Sequence, residues 1–418
     1  MPDTMANLPR SKYIAQFDRR VWILFVGRII SATGFSIVIP FLSIYFYGLG
    51  IEMTTIGLVF LISTGTGAIG QLVGGEISDR FGRRNVMIAA MASRSVVFVL
   101  ISLAIASGNA FVPVAVLIVC SSFFGSLFEP ASNAMIADIV TPARRLEAYG
   151  LLRIGQNIGW TLGPLIGGLL AVMGYSTLYL LTAVSSASVA FIILFLVNES
   201  ARSGIVRERL GLRDFVEIGR NHRPFLLFCF FSVFLFLVMA QMSSVYSVYS
   251  ENVVGVTITE VGYLYAINGL LVVLLQLPVS RFIARYRMTT VVAFGALVYA
   301  IGYFSVAFTY DFATLTIAMV IITMGEIVSS PSSMNLVANL SPENERGRFM
   351  GIFGLFTNSG WSLGPFVGGL LFDAFKVEPL LLWGGVASFG IISAIGFLVL
   401  RRFINESTDR VGGKAARS

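Results

Sequence analysis

Apolar stretches of about twenty residues recur along the whole chain, and each is long enough to cross a hydrocarbon layer ~30 Å thick as a helix. Twelve can be drawn, at 21–47, 54–77, 86–107, 112–138, 146–173, 177–197, 224–250, 259–280, 288–308, 312–339, 347–373 and 379–400. They are continuous, whereas strands of a transmembrane barrel would alternate apolar and polar residues over about ten positions. Composition agrees: 12% of residues are charged, against roughly a quarter in a soluble domain. The expected fold class is an all-α integral membrane protein with twelve transmembrane helices. Cys120 and Cys229 lie inside apolar runs and His222 in a charged loop, so neither a disulfide framework nor a metal site is expected.

The net charge of +7 could suggest a polyanionic partner, but the basic residues punctuate the apolar runs and form no single face. They cluster at 10–20, at Arg80/Arg83/Arg84, at Arg144/Arg145, in 202–223, at 281–287, at Arg346/Arg348 and after Arg401. If helices alternate in direction, all these loops share one side. The opposite loops carry Glu52, Glu251, Glu260, Asp311, Asp373 and Glu378 with Lys376. The positive-inside rule then puts both termini in the cytoplasm of a multi-pass inner-membrane protein, and no nucleic acid is expected as partner. No cleaved signal peptide is expected, because the charged N-terminus lacks a short apolar region with a small-residue cleavage site. The polar stretch 198–223 reads as a cytoplasmic linker between six-helix bundles at 1–197 and 224–418, the second ending in a short cytoplasmic tail.

An internal repeat with a period of 201 residues links the two bundles. Gly150, Gly159, Trp160, Gly163, Pro164, Gly167 and Gly168 of span 5 recur as Gly351, Gly360, Trp361, Gly364, Pro365, Gly368 and Gly369 of span 11. Asn157 recurs as Asn358, and Pro130 of span 4 as Pro331 of span 10. Six spans separate the copies, so both have the same orientation, as in transporters that alternate access around a midplane site. Between spans 2 and 3, Gly75, Asp79, Arg80, Gly82, Arg83 and Arg84 fit a G-x3-D-R-x-G-R-R pattern. With these motifs the chain resembles the major facilitator superfamily over nearly its whole length. The span 5 glycines resemble the motif of its twelve-span drug:proton antiporters. The resemblance implies two six-helix repeats, no enzymatic activity, and a latch in which Asp79 faces the start of span 11 and Arg83 pairs with Asp138.

Physical reasoning offers two readings for each motif. The loop could be a solvated positive-inside turn, but that would not require an acid and two glycines at fixed offsets. The glycines of spans 5 and 11 could serve plain helix packing, or seal an interface that exists in two states. The segment 278–287 in the second half has no acid, and Asn339 stands where Asp138 stands in the first half.

Charges within hydrocarbon cost roughly 2.5–3.5 kcal/mol on insertion scales and mark functional sites or internal pairs. Arg28, Arg94 and Arg153 fall in spans 1, 3 and 5, Glu129 in span 4 and Glu326 in span 10. The arginines could snorkel, pair or face a cavity. Glu326 sits near the middle of its span, where desolvation favours the neutral acid. It is the first candidate for proton coupling, with Glu129 the second. No arginine stands near Ser121, where the resemblance would place one for proton transfer. Asn157, Gln241, Asn268, Gln276 and Asn358 complete the polar candidates for a substrate cavity. Span 7 adds Phe225, Phe228, Phe230, Phe231, Phe234 and Phe236. Many aromatics around few polar groups suit a large amphipathic ligand better than a sugar. Trp22 and Trp383, near span ends, read as interfacial anchors.

These features lead to a secondary transporter, expected as a monomer, exporting hydrophobic or amphipathic compounds in exchange for protons. No cofactor is expected beyond the proton gradient, since the chain carries no Gly-x4-Gly-Lys-Ser/Thr phosphate loop. The alternatives are a dedicated exporter or importer of one metabolite, such as a sugar, siderophore or lysolipid, and a membrane sensor that kept the fold without transport.

Overall fold

In the computed structural model the described residues are 17–108, 111–141, 144–200, 222–342 and 345–411. Apart from 198–200 and 222–223, the expected linker lies outside them. Among the described residues there is no strand. The helices are α1 (Arg19–Ser36), α2 (Ile39–Gly48), α3 (Met53–Phe81), α4 (Arg83–Ala106), α5 (Phe111–Ile139), α6 (Arg145–Leu170), α7 (Tyr175–Leu196), α8 (Arg223–Met239), α9 (Val245–Tyr249), α10 (Ile258–Ile283), α11 (Met288–Ser305), α12 (Phe312–Leu340), α13 (Arg346–Phe375) and α14 (Pro379–Leu400). Short turns of other helix types extend some of them. Expected span 1 corresponds to α1 with α2, and span 7 to α8 with α9. The other ten spans are single helices.

Ten helices among the described residues are long and apolar enough to cross a membrane, counting α1 with α2 and α8 with α9 as continuous. The two long helices outside that set are α6 and α13, the glycine-bearing repeats. Helix starts are fixed locally: Asp18 accepts from the Arg20 amide, and Thr257 with Glu260, and Asp311 with Thr314, form capping boxes.

The chain divides into two compact units, Met1–Val38 with Gly65–Ile205, and Ile39–Thr64 with Val206–Ser418. In the first, α1 packs along α6 and α7, and α4 along α5 and α7. One buried cluster here joins Leu24 of α1, Met87 and Met91 of α4, Phe128 and Met135 of α5, and Val189 and Ile193 of α7. In the second unit, α8 packs along α13 and α14, and α11 along α12 and α14.

The piece 39–64 is bonded into the second unit. Asp373, near the end of α13, accepts from the Met53 amide at 3.0 Å, the Thr54 amide at 2.7 Å and the Thr54 hydroxyl at 2.6 Å. Its carboxylate thus satisfies the start of α3, where free amides and the helix dipole favour an anion. Nearby, a Cβ on Gly369 would lie 2.8 Å from the Thr54 amide, so only glycine permits this approach.

Candidate functional site

Each unit carries polar side chains halfway along its helices. In the first, Arg94 stands at the middle of α4, and its guanidinium carbon lies 4.5 Å from the Phe35 ring centre and 5.3 Å from that of Phe98. On α5, Gly125 leaves room for it, since a Cβ there would fall 2.7 Å from Arg94 Cζ. Arg94 is 7% exposed, and its buried Nε has no hydrogen-bond partner. It therefore neither snorkels out nor pairs. Arg28 of α1, by contrast, has its Nη2 at 3.5 Å from Glu129 Oε1, a long ion pair in which the carboxylate side chain is 43% exposed.

On α6, Arg153, Asn157 and Trp160 recur at helical spacing along one exposed face. The opposite face carries Gly159 and Gly163, which press against α1. A Cβ on Gly159 would lie 2.5 Å from Ala32 Cβ, and one on Gly163 would strike Ser36 Oγ. Ser36 Oγ also donates to the Gly159 carbonyl at 2.9 Å. Gly167, Gly168 and Pro164 are buried on the same helix, while a Cβ on Gly150 would meet nothing.

The second unit repeats the packing with different chemistry. Gly360 and Gly364 of α13 press against α8, and Gln241 Nε2 donates to the Gly364 carbonyl at 2.8 Å and to that of Leu237 at 2.9 Å. Gln241 is thus a packing residue, and its side chain would clash with a Cβ on Gly368. Pro365 and Gly368 are buried, Gly351 is half-buried, and Asn358 is exposed.

Glu326 occupies the middle of α12. Asn268 of α10 donates to Glu326 Oε2 at 3.0 Å and to Thr323 Oγ1 at 3.0 Å. Among the described residues no Lys or Arg pairs with Glu326. Gln276, two turns beyond Asn268, donates to the Ile327 carbonyl at 3.1 Å and ties α10 to α12. Tyr299 packs against Gly325, beside the acid, and stacks on Tyr303, which stacks on Trp383. Trp383 is fully buried among Tyr246, Tyr249 and Tyr303. That corrects its reading as an interfacial anchor: the helix turns this ring inward, onto tyrosines from α9 and α11.

Of the span 7 phenylalanines, Phe225 and Phe228 are buried against Phe349, Phe353 and Phe397, whereas Phe230 is exposed. The six therefore serve different surfaces.

At the ends of the helices the sequence reading missed the acids that matter most. Arg83 pairs with Asp79 one turn earlier, and its Nε lies 3.4 Å from Asp138 Oδ2 without hydrogen-bond alignment. Gly82 forms the turn, Gly75 lies within the last two turns of α3, and Arg80 pairs with Glu76. The amide of Arg83, at the start of α4, is held by Glu199 at 2.9 Å, and that of Arg84 at 3.2 Å. Ser200 Oγ donates to Asp138 Oδ2 at 2.7 Å. Gly82 has φ of 96°, and a Cβ on it would collide with the Glu199 carboxylate.

The second unit supplies its acid from the segment after α14. Asp409 accepts from the Thr289 amide at 2.8 Å, the Thr289 hydroxyl at 2.5 Å and Arg287 Nε at 2.7 Å. Asn339, where the first half has Asp138, donates to the carbonyls of Thr408 and Arg410 at 2.9 Å each. The second half thus has its own closure, built with an amide and a tail carboxylate. A signal was present: Asn-Glu-Ser follows each half, at 198–200 and 405–407.

Each of the two helical units is thus polar at the middle of its helices and has charged clusters at its own helix ends. The chain belongs to the major facilitator superfamily, whose family model matches residues 24–365 and again 235–417. It is therefore a transporter and not an enzyme. It is 26% identical over 383 residues to the multidrug resistance protein MdtH of Yersinia enterocolitica, covering 90% of this chain and 92% of that one. It is also 26% identical over 432 residues to a Na(+), Li(+), K(+)/H(+) antiporter of Planococcus maritimus, covering 93% and 97%. Among solved structures, a bacterial homologue of the human lysosomal transporter Spinster, in an inward-facing and occupied conformation, superposes with a TM-score of 0.77 at 15% identity, covering 98% and 100% of the two chains.

Proposed function

We propose that the chain is a twelve-span, proton-coupled exporter of hydrophobic or amphipathic compounds, working by alternating access in the cytoplasmic membrane with both termini inside. The observation that carries this reading is Glu326: a carboxylate at the middle of α12, hydrogen-bonded by Asn268 and paired with no cation among the described residues. A carboxyl placed there can take up a proton from one side and release it to the other, and nothing nearby fixes its charge. Glu129, engaged with Arg28, is the weaker candidate. Names among the relatives, one a multidrug resistance protein and one a cation/proton antiporter, support both halves of the reading. The glycine-bearing helices α6 and α13 are read as spans as well, which makes twelve. The latch residues Asp79, Arg83 and Asp138 are read as holding one conformational state.

The test is dissipation of a pH gradient in energised inside-out vesicles, on adding lipophilic cations, neutral compounds and anions. Wild type is expected to respond to several of them, Glu326→Gln to give only background, and Glu129→Gln to keep most of the response. Loss in Glu129→Gln alone would move the coupling site. No response from folded wild type would overturn the reading in favour of a dedicated metabolite carrier or a sensor.

A further inference from the structure

The repeat sets Gly125 of α5 opposite Glu326 of α12, 201 residues on. Where the second unit has a carboxylate, the first has no side chain at all. Arg94 fills that space from α4, its guanidinium against the Gly125 backbone and between the rings of Phe35 and Phe98. At equivalent positions of the repeat one unit therefore holds a carboxylate and the other accommodates a guanidinium.

Ring faces attract a cation but accept few of its N–H groups. A guanidinium has five donors in a planar fork, and no described residue forms a hydrogen bond or ion pair with Arg94. At 93% burial that arrangement is costly unless a ligand completes it. The charges on the adjoining helices are mostly of the same sign. Arg28 lies two turns from Phe35 on one face of α1, Arg153 is exposed on the face of α6 that carries Trp160, and among the described residues the ion pair of Arg28 is with Glu129. Trp160 packs edge-on against Phe35, their ring centres 6.1 Å apart, so an apolar wall adjoins the cation.

We propose that Arg94 is the anion-recognition group of the substrate cavity, and that the compounds carried are amphipathic acids whose carboxylate or sulfonate meets its fork while their apolar body lies against Phe35 and Trp160. This rests on the reading of the chain as an exporter and narrows its substrate class. A carboxylate or sulfonate can accept two parallel N–H groups from a guanidinium on two of its oxygens, which an amine or amide cannot do.

The test is equilibrium binding, with no gradient, to the full chain in phosphatidylcholine nanodiscs. Three probes share one ring system and differ in charge: naphthoate, naphthamide and naphthylmethylamine. Naphthoate is expected to bind about tenfold or more tightly than naphthamide, with the amine weakest. Arg94→Gln should bring naphthoate down to the level of naphthamide while leaving naphthamide unchanged, and Arg94→Lys should recover part of the difference. Gly125→Ala, which keeps the charge but pushes a methyl group to 2.7 Å from Arg94 Cζ, should weaken naphthoate alone. Equal affinity for naphthoate and naphthamide in wild type overturns the proposal, as does full naphthoate affinity in folded Arg94→Gln. The negative outcome in wild type overturns the proposal even if the variants do not fold. Failure here is separable from failure of the exporter reading: naphthoate binding without proton-coupled movement sinks only the latter, and gradient-driven movement of neutral and cationic compounds without charge preference sinks only the former.

Discussion

Asp409 and Glu406 lie three residues apart in the same tail, and they behave differently. Glu406 is the one the sequence repeat selects, since Asn-Glu-Ser at 405–407 copies the triplet containing Glu199. It pairs instead with Arg410 at the surface, where exposed ion pairs contribute little. Asp409 is fully buried and holds Thr289 and Arg287. Removing one partner of a buried pair costs ~3–5 kcal/mol because the other charge is left unpaired. Asp409→Ala should therefore lower the thermal midpoint of the purified protein clearly, and Glu406→Ala should leave it nearly unchanged. Equal effects would mean that the tail does not close the second unit. Legibility at this scale was mixed. Glu326 stood out because a carboxylate inside an apolar run is rare, but the partners of a cap lie more than a hundred residues away, and the Asn-Glu-Ser triplet marks Glu199 while pointing away from Asp409.

A helix face is more legible than a helix partner. The glycines of α6 and α13 were visible from spacing and repetition, but spacing does not say which helix they approach. Both lines turn out to meet the first helix of their own half of the repeat, α1 or α8, where Ser36 donates to the Gly159 carbonyl and Gln241 to that of Gly364, one turn further along its copy. Not every glycine of the motif is needed for that contact. Gly159→Leu would overpack the α1 face, a change that typically costs ~1–3 kcal/mol, whereas Gly150→Ala adds a methyl group in open space. Membrane yield and transport should fall for the first and hold for the second. A loss of transport in well-folded Gly150→Ala would show that the motif acts beyond packing.

Across the whole molecule, the sequence offers twelve apolar stretches, while ten helices among the described residues are long and apolar enough to cross a membrane. The difference falls on α6 and α13, where glycine and polar residues such as Arg153, Asn157 and Asn358 dilute the apolar signal along the helices the repeat identifies. Twelve spans with both ends inside make a geometric prediction. In a chain freed of Cys120 and Cys229, a membrane-impermeant maleimide should label Ser107→Cys and Asn252→Cys in intact cells, and Ser407→Cys only after permeabilisation. All three positions are exposed, so the side of the membrane decides the result. Labelling of Ser407→Cys from outside would invert or recount the spans.

Asp373 has a consequence for how this molecule can be divided. Residues 39–64 come from the first third of the chain yet are bonded into the second unit, where Asp373 holds the start of α3 and Gly369 lies against it. A polypeptide beginning at 206 would leave that carboxylate without its amides and that glycine surface bare, and one ending there would carry an apolar segment with no fold of its own to join. The two halves of the repeat are thus copies in sequence but not separable modules. A gene broken between them can give a working protein only if both pieces are made together, so that each completes the other as it inserts.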